Sequence, residues 1–172
     1  MTRSRQWLAE ASHPVACGLD LGTSGLKGVL INGDGEVIAR GQASYETTRP
    51  EPGASEQNPG QWLSAVVAVI AQLQAVVPAE QWAGIGLSGM IPTLVTLDSN
   101  LQPVGRAITW EDGRAESYGL ALREAYGADD LYRRTGQWVD GRYLLAMWLR
   151  LLVVEPERAS QVTYLAGAKD YV

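Results

Sequence analysis

Residues 17 to 31 read Cys-Gly-Leu-Asp-Leu-Gly-Thr-Ser-Gly-Leu-Lys-Gly-Val-Leu-Ile, an apolar run that delivers one carboxylate, Asp20, to a turn of small and hydroxyl residues. The chemistry open to such a turn is the handling of phosphate together with a hard cation. Asp20 can hold Mg²⁺ or its waters, Gly22 and Gly25 let the backbone approach a ligand, and Thr23 and Ser24 supply hydroxyl and amide donors. Lys27 adds a mobile cation, in a chain whose only other lysine is Lys169 and whose remaining fixed cations are arginines. The plainer alternative is a hairpin in which Gly-Thr-Ser-Gly serves only the backbone angles of the turn.

A second group, Trp110-Glu111-Asp112-Gly113-Arg114, puts an aromatic ring, two carboxylates and a guanidinium at what reads as a strand end, a common ligand-facing position. Its alternative is a core tryptophan, Asp112 as a helix cap, and Arg114 paired with a neighbouring carboxylate. Trp138, Asp140 and Tyr143 carry the same ambiguity, and Glu56 reads most simply as part of a solvated loop leading to a helix cap. Gly84 to Gly89 matches the dinucleotide-binding glycine pattern by letter. That motif needs a strand before it and a helix after it, and here the order is reversed. No Gly-Lys pair exists to form a Walker A loop.

The 172 residues, 46% of them apolar and 19% charged, are enough for one folded domain with a core. A net charge of -5 with no basic block excludes nucleic acid and anionic membrane as main partners. Cys17 is the only cysteine, so disulfide frameworks and Cys-based zinc sites are not available within this chain, and His13 is the only histidine, so triads and His-based metal sites are excluded unless the N-terminus folds back. Residues 1–13 lack a signal-peptide core and no run approaches bilayer length, so the expected compartment is the cytoplasm.

From Val15 the pattern predicts strand, turn and strand, then a hairpin at Asn32-Gly33-Asp34-Gly35 and a third strand over 36–43. A polar connection follows, and a helix begins with Asn58 as cap and Pro59 in its first turn, with Trp62, Val66, Val69, Ile70, Leu73 and Val77 on one face. Two joined strands are predicted over 83–88 and 93–97 and another over 107–110. Helices are predicted from near Asp112, over 128–134 and over 142–153, with residues 161–166 returning to a sheet. No repeat or linker marks a boundary, so the chain reads as one unit. Three antiparallel strands, a helix and further strands give an α/β, ribonuclease H-like order, with a mixed sheet between flanking helices.

Taken in order, Gly18-Leu-Asp-Leu-Gly-Thr-Ser-Gly-Leu-Lys27, Glu56-Gln-Asn-Pro-Gly-Gln-Trp62, Gly84-Ile-Gly-Leu-Ser-Gly89, Ala107-Ile-Thr-Trp-Glu-Asp-Gly-Arg-Ala115, Thr135-Gly136 and Ala168-Lys-Asp-Tyr171 resemble the FGGY carbohydrate kinases in xylulokinase-like form, from Ala16 onward. The resemblance implies the actin-like ATPase version of the fold, as a partial domain. Residues 14–172 would be the N-terminal portion of the family's domain I, without the rest of that domain or domain II, and residues 1–13 a flexible extension.

The resemblance also implies ATP and Mg²⁺ as cofactors and transfer of a γ-phosphoryl group to a hydroxyl. Asp20 looks like the magnesium-associated aspartate, and Gly22, Thr23, Ser24 and Lys27 like the first phosphate-binding loop. Met90, Ile91 and Pro92, in the loop after Ser88-Gly89, and Trp110, Asp112 and Arg114 fall at the sugar or polyol pocket. Xylulokinase-like members carry Gln-Met-His-Gly where this chain has Met90-Ile91-Pro92-Thr93, so the same polar sugar contacts are not available and the sugar stays open. The catalytic base is expected beyond Val172, none of Asp112, Asp140 and Asp170 being assigned that role, and the chain alone is expected to be inactive. The partners expected are a small-molecule sugar or polyol and, as assembly, a homodimer, with neither nucleic acid nor membrane. Two other readings stay open: another actin-like ATPase sharing the turn but not the sugar site, and a non-enzymatic sugar-binding or regulatory module.

Overall fold

The structure, a computed structural model, describes residues 15–172; the expected N-terminal extension and His13 lie outside the described residues. The first part of the chain forms strands β1 (Val15–Leu21), β2 (Gly25–Ile31), β3 (Val37–Ser44), β4 (Thr47–Thr48) and β5 (Glu56–Gln57), then helix α1 (Pro59–Gln74). Strands β6 (Trp82–Gly89), β7 (Val95–Leu97) and β8 (Ala107–Ile108) follow. Helices α2 (Glu116–Tyr126), α3 (Ala128–Thr135), α4 (Leu144–Val154) and α5 (Pro156–Ala159), strand β9 (Tyr164–Ala166) and helix α6 (Ala168–Tyr171) complete the order. The described chain divides into two compact units. One holds the residues up to Tyr45 with Gly60–Gly89, the other Glu46–Pro59 with Met90–Val172.

The first unit is a four-stranded sheet in the order β3-β2-β1-β6, antiparallel except for the parallel β1/β6 pair. The three expected antiparallel strands are therefore present and adjacent. In the hairpin between β2 and β3, Asn32 Oδ1 accepts hydrogen bonds from the amides of Asp34 and Glu36 at 3.1 and 2.9 Å, and Gly35 takes φ of +87°.

Strand alternation decides which side of this sheet is buried. Val15, Cys17, Leu19 and Leu21 of β1 and Leu26 and Leu30 of β2 are buried, as are Trp62, Ala65, Val69 and Leu73 on one stripe of α1. Burial pushes the Cys17 thiol upward, so it stays protonated and packs as a small apolar group. Gly28 marks where helix and sheet touch: a Cβ there would lie 2.5 Å from Val69 Cγ1 and 3.0 Å from Leu73 Cδ1. The helix ends at Gln74, so the expected Val77 falls outside it; amides of Val76 and Val77 both bond the Leu73 carbonyl and close the last turn.

At the outer edge of the sheet, Gln72 of α1 accepts from the Gln42 amide at 3.0 Å and donates to its carbonyl at 3.1 Å. One side-chain amide therefore takes both backbone groups that β3 presents outward at that position.

The second unit contains a small sheet β4-β5-β8, a β7/β9 pair and the remaining helices. Its core is built from Leu94, Ile108, Leu122, Ala146, Met147 and Leu151, with others. The two strands predicted over 83–88 and 93–97 are both present, in different sheets: β6 belongs to the first sheet, whereas β7 pairs with β9 and Leu94 bridges to Ile108. The predicted strand over 107–110 stops at Ile108, and the helix expected near Asp112 starts only at Glu116.

Gly28→Ala tests the helix–sheet contact. Replacing a strand glycine gains roughly 0.4–1 kcal/mol through the unfolded chain, but overpacking against Val69 costs about 1–3 kcal/mol. The expected net effect is a lowered denaturation midpoint, partly restored in Gly28→Ala/Val69→Ala. An unchanged midpoint in the single variant would contradict the packing described.

Candidate functional site

In the first unit the register places Asp20 of β1 opposite Lys27 of β2 and opposite Ser88 of β6, while Lys27 lies opposite Gln42 of β3. Gln42, Lys27, Asp20 and Ser88 thus form a row across all four strands, exposed on the face opposite the buried stripe of α1. The row borders a groove of about 440 Å³ whose lining includes Gly18, Val29 and Gly86 as well as Asp20, Lys27 and Ser88. A second groove of about 350 Å³ lies on the other side of Lys27, lined among others by Ser24, Gln42 and Ser44. Lys27 is not part of the turn, where the sequence reading put it. It stands on β2, and the strand pairing holds its Cα beside that of Asp20.

The turn is closed by the Gly22 amide, which donates to the Gly25 carbonyl at 3.1 Å. Gly25 is a glycine because β3 lies against it: a Cβ would come within 2.6 Å of the Ala43 carbonyl oxygen. Tyr45, the residue after β3, donates its hydroxyl to the Gly22 carbonyl and its amide to the Ser24 carbonyl, the latter at 3.4 Å. Its phenol is pushed up to about 12, first by burial and then by the charge of Asp20. Nothing in the sequence distinguishes Tyr45 from other polar-loop tyrosines, and neither it nor Ser88 was among the expected site residues.

In the second unit Asp112 is 1% exposed and fully engaged. Its carboxylate accepts from the Ser55 amide at 2.9 Å, the Arg114 amide at 3.0 Å, and Arg114 Nε and Nη2, the last at 2.7 Å. Arg114 also reaches Glu51 and Glu56, each at 2.7 Å. Burial alone would lower the affinity of that guanidinium for its proton, but hydrogen bonds to Asp112, Glu51 and Glu56 outweigh it and raise it further. Arg114 is therefore paired, as the plainer sequence alternative had it, whereas Asp112 does not cap α2: that helix begins after Ala115 without a side-chain cap. Trp110 lies beyond β8 in the following turn and is 37% exposed, so it is not a core tryptophan.

Met90 is buried, Ile91 is exposed and Pro92 half-buried, joined by a cis peptide bond between Ile91 and Pro92. Thr93, which follows, buries its hydroxyl oxygen with no hydrogen-bond partner in the structure. The other ambiguous residues are engaged locally: Arg123 lies over the Trp138 ring at 5.4 Å, and Asp140 accepts from Arg142 at 2.9 Å, which holds its carboxyl low against the opposing effect of burial.

Among the described residues no group of three His, Cys, Asp or Glu side chains could hold a metal ion. A lone carboxylate such as Asp20 fits Mg²⁺ only when phosphate oxygens and water supply the other ligands, the usual manner in which that ion accompanies a nucleotide. Among the described residues no helix is long and apolar enough to cross a membrane.

Residues 15–172 match the family described as FGGY family of carbohydrate kinases, N-terminal domain. Xylulose kinase of Lactococcus lactis subsp. lactis (strain IL1403) is 36% identical over 157 residues, covering 90% of this chain and 31% of that protein. Gluconokinase of Bacillus licheniformis is 28% identical over 155 residues, covering 90% and 30%. The crystal structure of xylulose kinase from Rhodospirillum rubrum superposes with a TM-score of 0.86 at 28% identity, covering 91% of this chain and 33% of that one. The chain thus spans about a third of the length of the curated relatives it matches.

Removing Arg114 would leave Asp112 buried and unpaired, which costs about 3–5 kcal/mol. Arg49, paired to Glu111 at 2.9 Å with 57% of its side chain exposed, should matter by less than about 1 kcal/mol. Urea unfolding of Arg114→Met and Arg49→Met should show this order. Equal midpoints would refute the role of Arg114 as the buried counterion.

Proposed function

The chain belongs to the FGGY family of carbohydrate kinases, and on that premise we propose that the protein transfers the γ-phosphoryl group of ATP, as its Mg²⁺ complex, to a hydroxyl of a sugar or polyol in the cytoplasm, where ATP is supplied. The observation that carries the reading is the exposed row in which Asp20 stands between Lys27 and Ser88 beside the Gly22–Ser24 turn. The nucleotide and its metal supply the leaving group and neutralise charge on the transferred phosphoryl. Asp20 would hold the metal or its waters, Thr23 and Ser24 would meet phosphate oxygens, Gly22, whose amide is taken by the Gly25 carbonyl, would let the backbone come close to them, and Lys27 would add a positive charge from the neighbouring strand.

For the acceptor we propose Met90, Ile91, Pro92 and Trp110 as the wall against the sugar. Support comes from the exposure of Ile91 and Trp110 and from the unpartnered hydroxyl of Thr93 next to that loop. Asp112 and Arg114 would contribute by fixing the turn that carries Trp110, since the carboxylate of Asp112 is already occupied by the Ser55 amide and by Arg114. No carboxylate of the described residues is assigned as general base.

The test is ADP release by the complete protein with Mg·ATP and a panel including xylulose and gluconate, the acceptors named by the relatives. A sugar-dependent rate is expected. ATP hydrolysis indifferent to every sugar would replace the reading by that of another actin-like ATPase, and sugar binding without ATP turnover by that of a binding module. With the active sugar, Asp20→Asn should lower kcat on the order of 100-fold or more. Trp110→Ala should raise the sugar KM roughly two- to tenfold and leave that of Mg·ATP unchanged. A fully active Asp20→Asn protein would remove Asp20 from the metal site.

A further inference from the structure

We infer that Tyr45 is a positioning residue of the phosphate turn, tying the Gly22 and Ser24 carbonyls through its hydroxyl and its amide and so fixing the peptide planes whose N–H groups would face a phosphate. The inference rests on the kinase reading above and adds to it a residue outside the turn.

A phosphate cradle made of backbone groups works only while the amides face the anion. A peptide plane that rotates replaces a donor by a carbonyl oxygen, whose partial charge repels phosphate. The Gly22-Thr23-Ser24-Gly25 turn has little side-chain bulk to resist such rotation, and glycine adds backbone freedom at both ends. Within the turn the Gly22 amide donates to the Gly25 carbonyl. The two further restraints named above come from a single residue: the Tyr45 hydroxyl on the Gly22 carbonyl and the Tyr45 amide on the Ser24 carbonyl.

The placement of Tyr45 is built in. Its neighbours Ser44 and Glu46 are exposed while Tyr45 is half-buried, so the ring alone turns inward at that point. The absence of a side chain at Gly25 is what admits the end of β3, with the Ala43 carbonyl against the turn, and so brings Tyr45 into reach. A phenol carries its proton at neutral pH, and burial here only moves it further from ionising, so it serves as a donor. A carbonyl held by a donor is kept from swinging toward the ligand, and a Phe at this position would keep the ring while releasing it.

The test compares wild type and Tyr45→Phe in the complete protein by calorimetric titration with Mg·ADP and by steady-state kinetics in both substrates. Loss of one hydrogen bond should weaken Mg·ADP binding and raise the KM of Mg·ATP roughly three- to tenfold, with the sugar KM unchanged. Wild-type Mg·ADP affinity in Tyr45→Phe overturns the inference. So does a parallel rise of both KM values with a lowered midpoint, the mark of a merely structural role. If the wild type binds Mg·ADP but no sugar stimulates turnover, the kinase reading fails while the Mg·ADP affinities still decide the role of Tyr45. A wild type that does not bind Mg·ADP overturns both.

Discussion

Because side chains on a strand alternate between faces, burying Val15, Cys17, Leu19 and Leu21 sends Ala16, Gly18 and Asp20 to the opposite face of the sheet. A slip of one residue would expose that apolar set and drive Asp20 into the buried side. Each buried side chain of this kind contributes about 1.5–3 kcal/mol, and an unpaired buried carboxylate costs several more. Both terms favour the same register. Once β1 is fixed, its pairings with β2 and β6 place Lys27 and Ser88 on either side of Asp20 without any further interaction among the three.

Local patterns make much of this legible in the sequence. The alternation of β1 and β2, the Asn32 to Gly35 turn and the apolar stripe of α1 each act over a few residues, and each appears where the pattern puts it, save that the stripe stops at Leu73 short of Val77. Asp20 and its turn were legible for the same reason. What the sequence did not show depends on partners distant along the chain. Lys27 reads as part of a loop until its pairing with β1 is known, and Ser88 reads as the end of a glycine-rich strand until β6 lies parallel to β1. Tyr45 becomes significant only because β3 returns to the turn. The crossings between the two units, after Tyr45, Pro59 and Gly89, have no compositional marker because each falls within or beside a regular element.

The second unit shows how a motif can hold ligand-type residues that are committed to one another. Arg114 and Asp112 are two residues apart, yet the groups that complete their set, Ser55, Glu51 and Glu56, come from the earlier segment. A second buried guanidinium, Arg150, also approaches Glu51, at 3.5 Å, and bonds Glu155 at 3.2 Å. The segment 51–56 is therefore held by charge as much as by its two-residue strand, and the turn bearing Trp110 inherits that rigidity. Burial limits the screening of Arg114 with Asp112 and Glu56, whereas Glu51, with 52% of its side chain exposed, is held the more weakly.

The Gln72 amide has a consequence for how copies of this chain can meet. A sheet grows when a new strand finds unpaired N–H and C=O groups along an edge, and at Gln42 those groups are already taken. A strand arriving at β3 would have to displace an internal partner in the middle of its run before pairing could propagate. Among the described residues the opposite border, β6, has no neighbour beyond it. Strand addition at β3 is thus blocked at Gln42, and two copies cannot join continuously through their β3 strands while α1 stays docked.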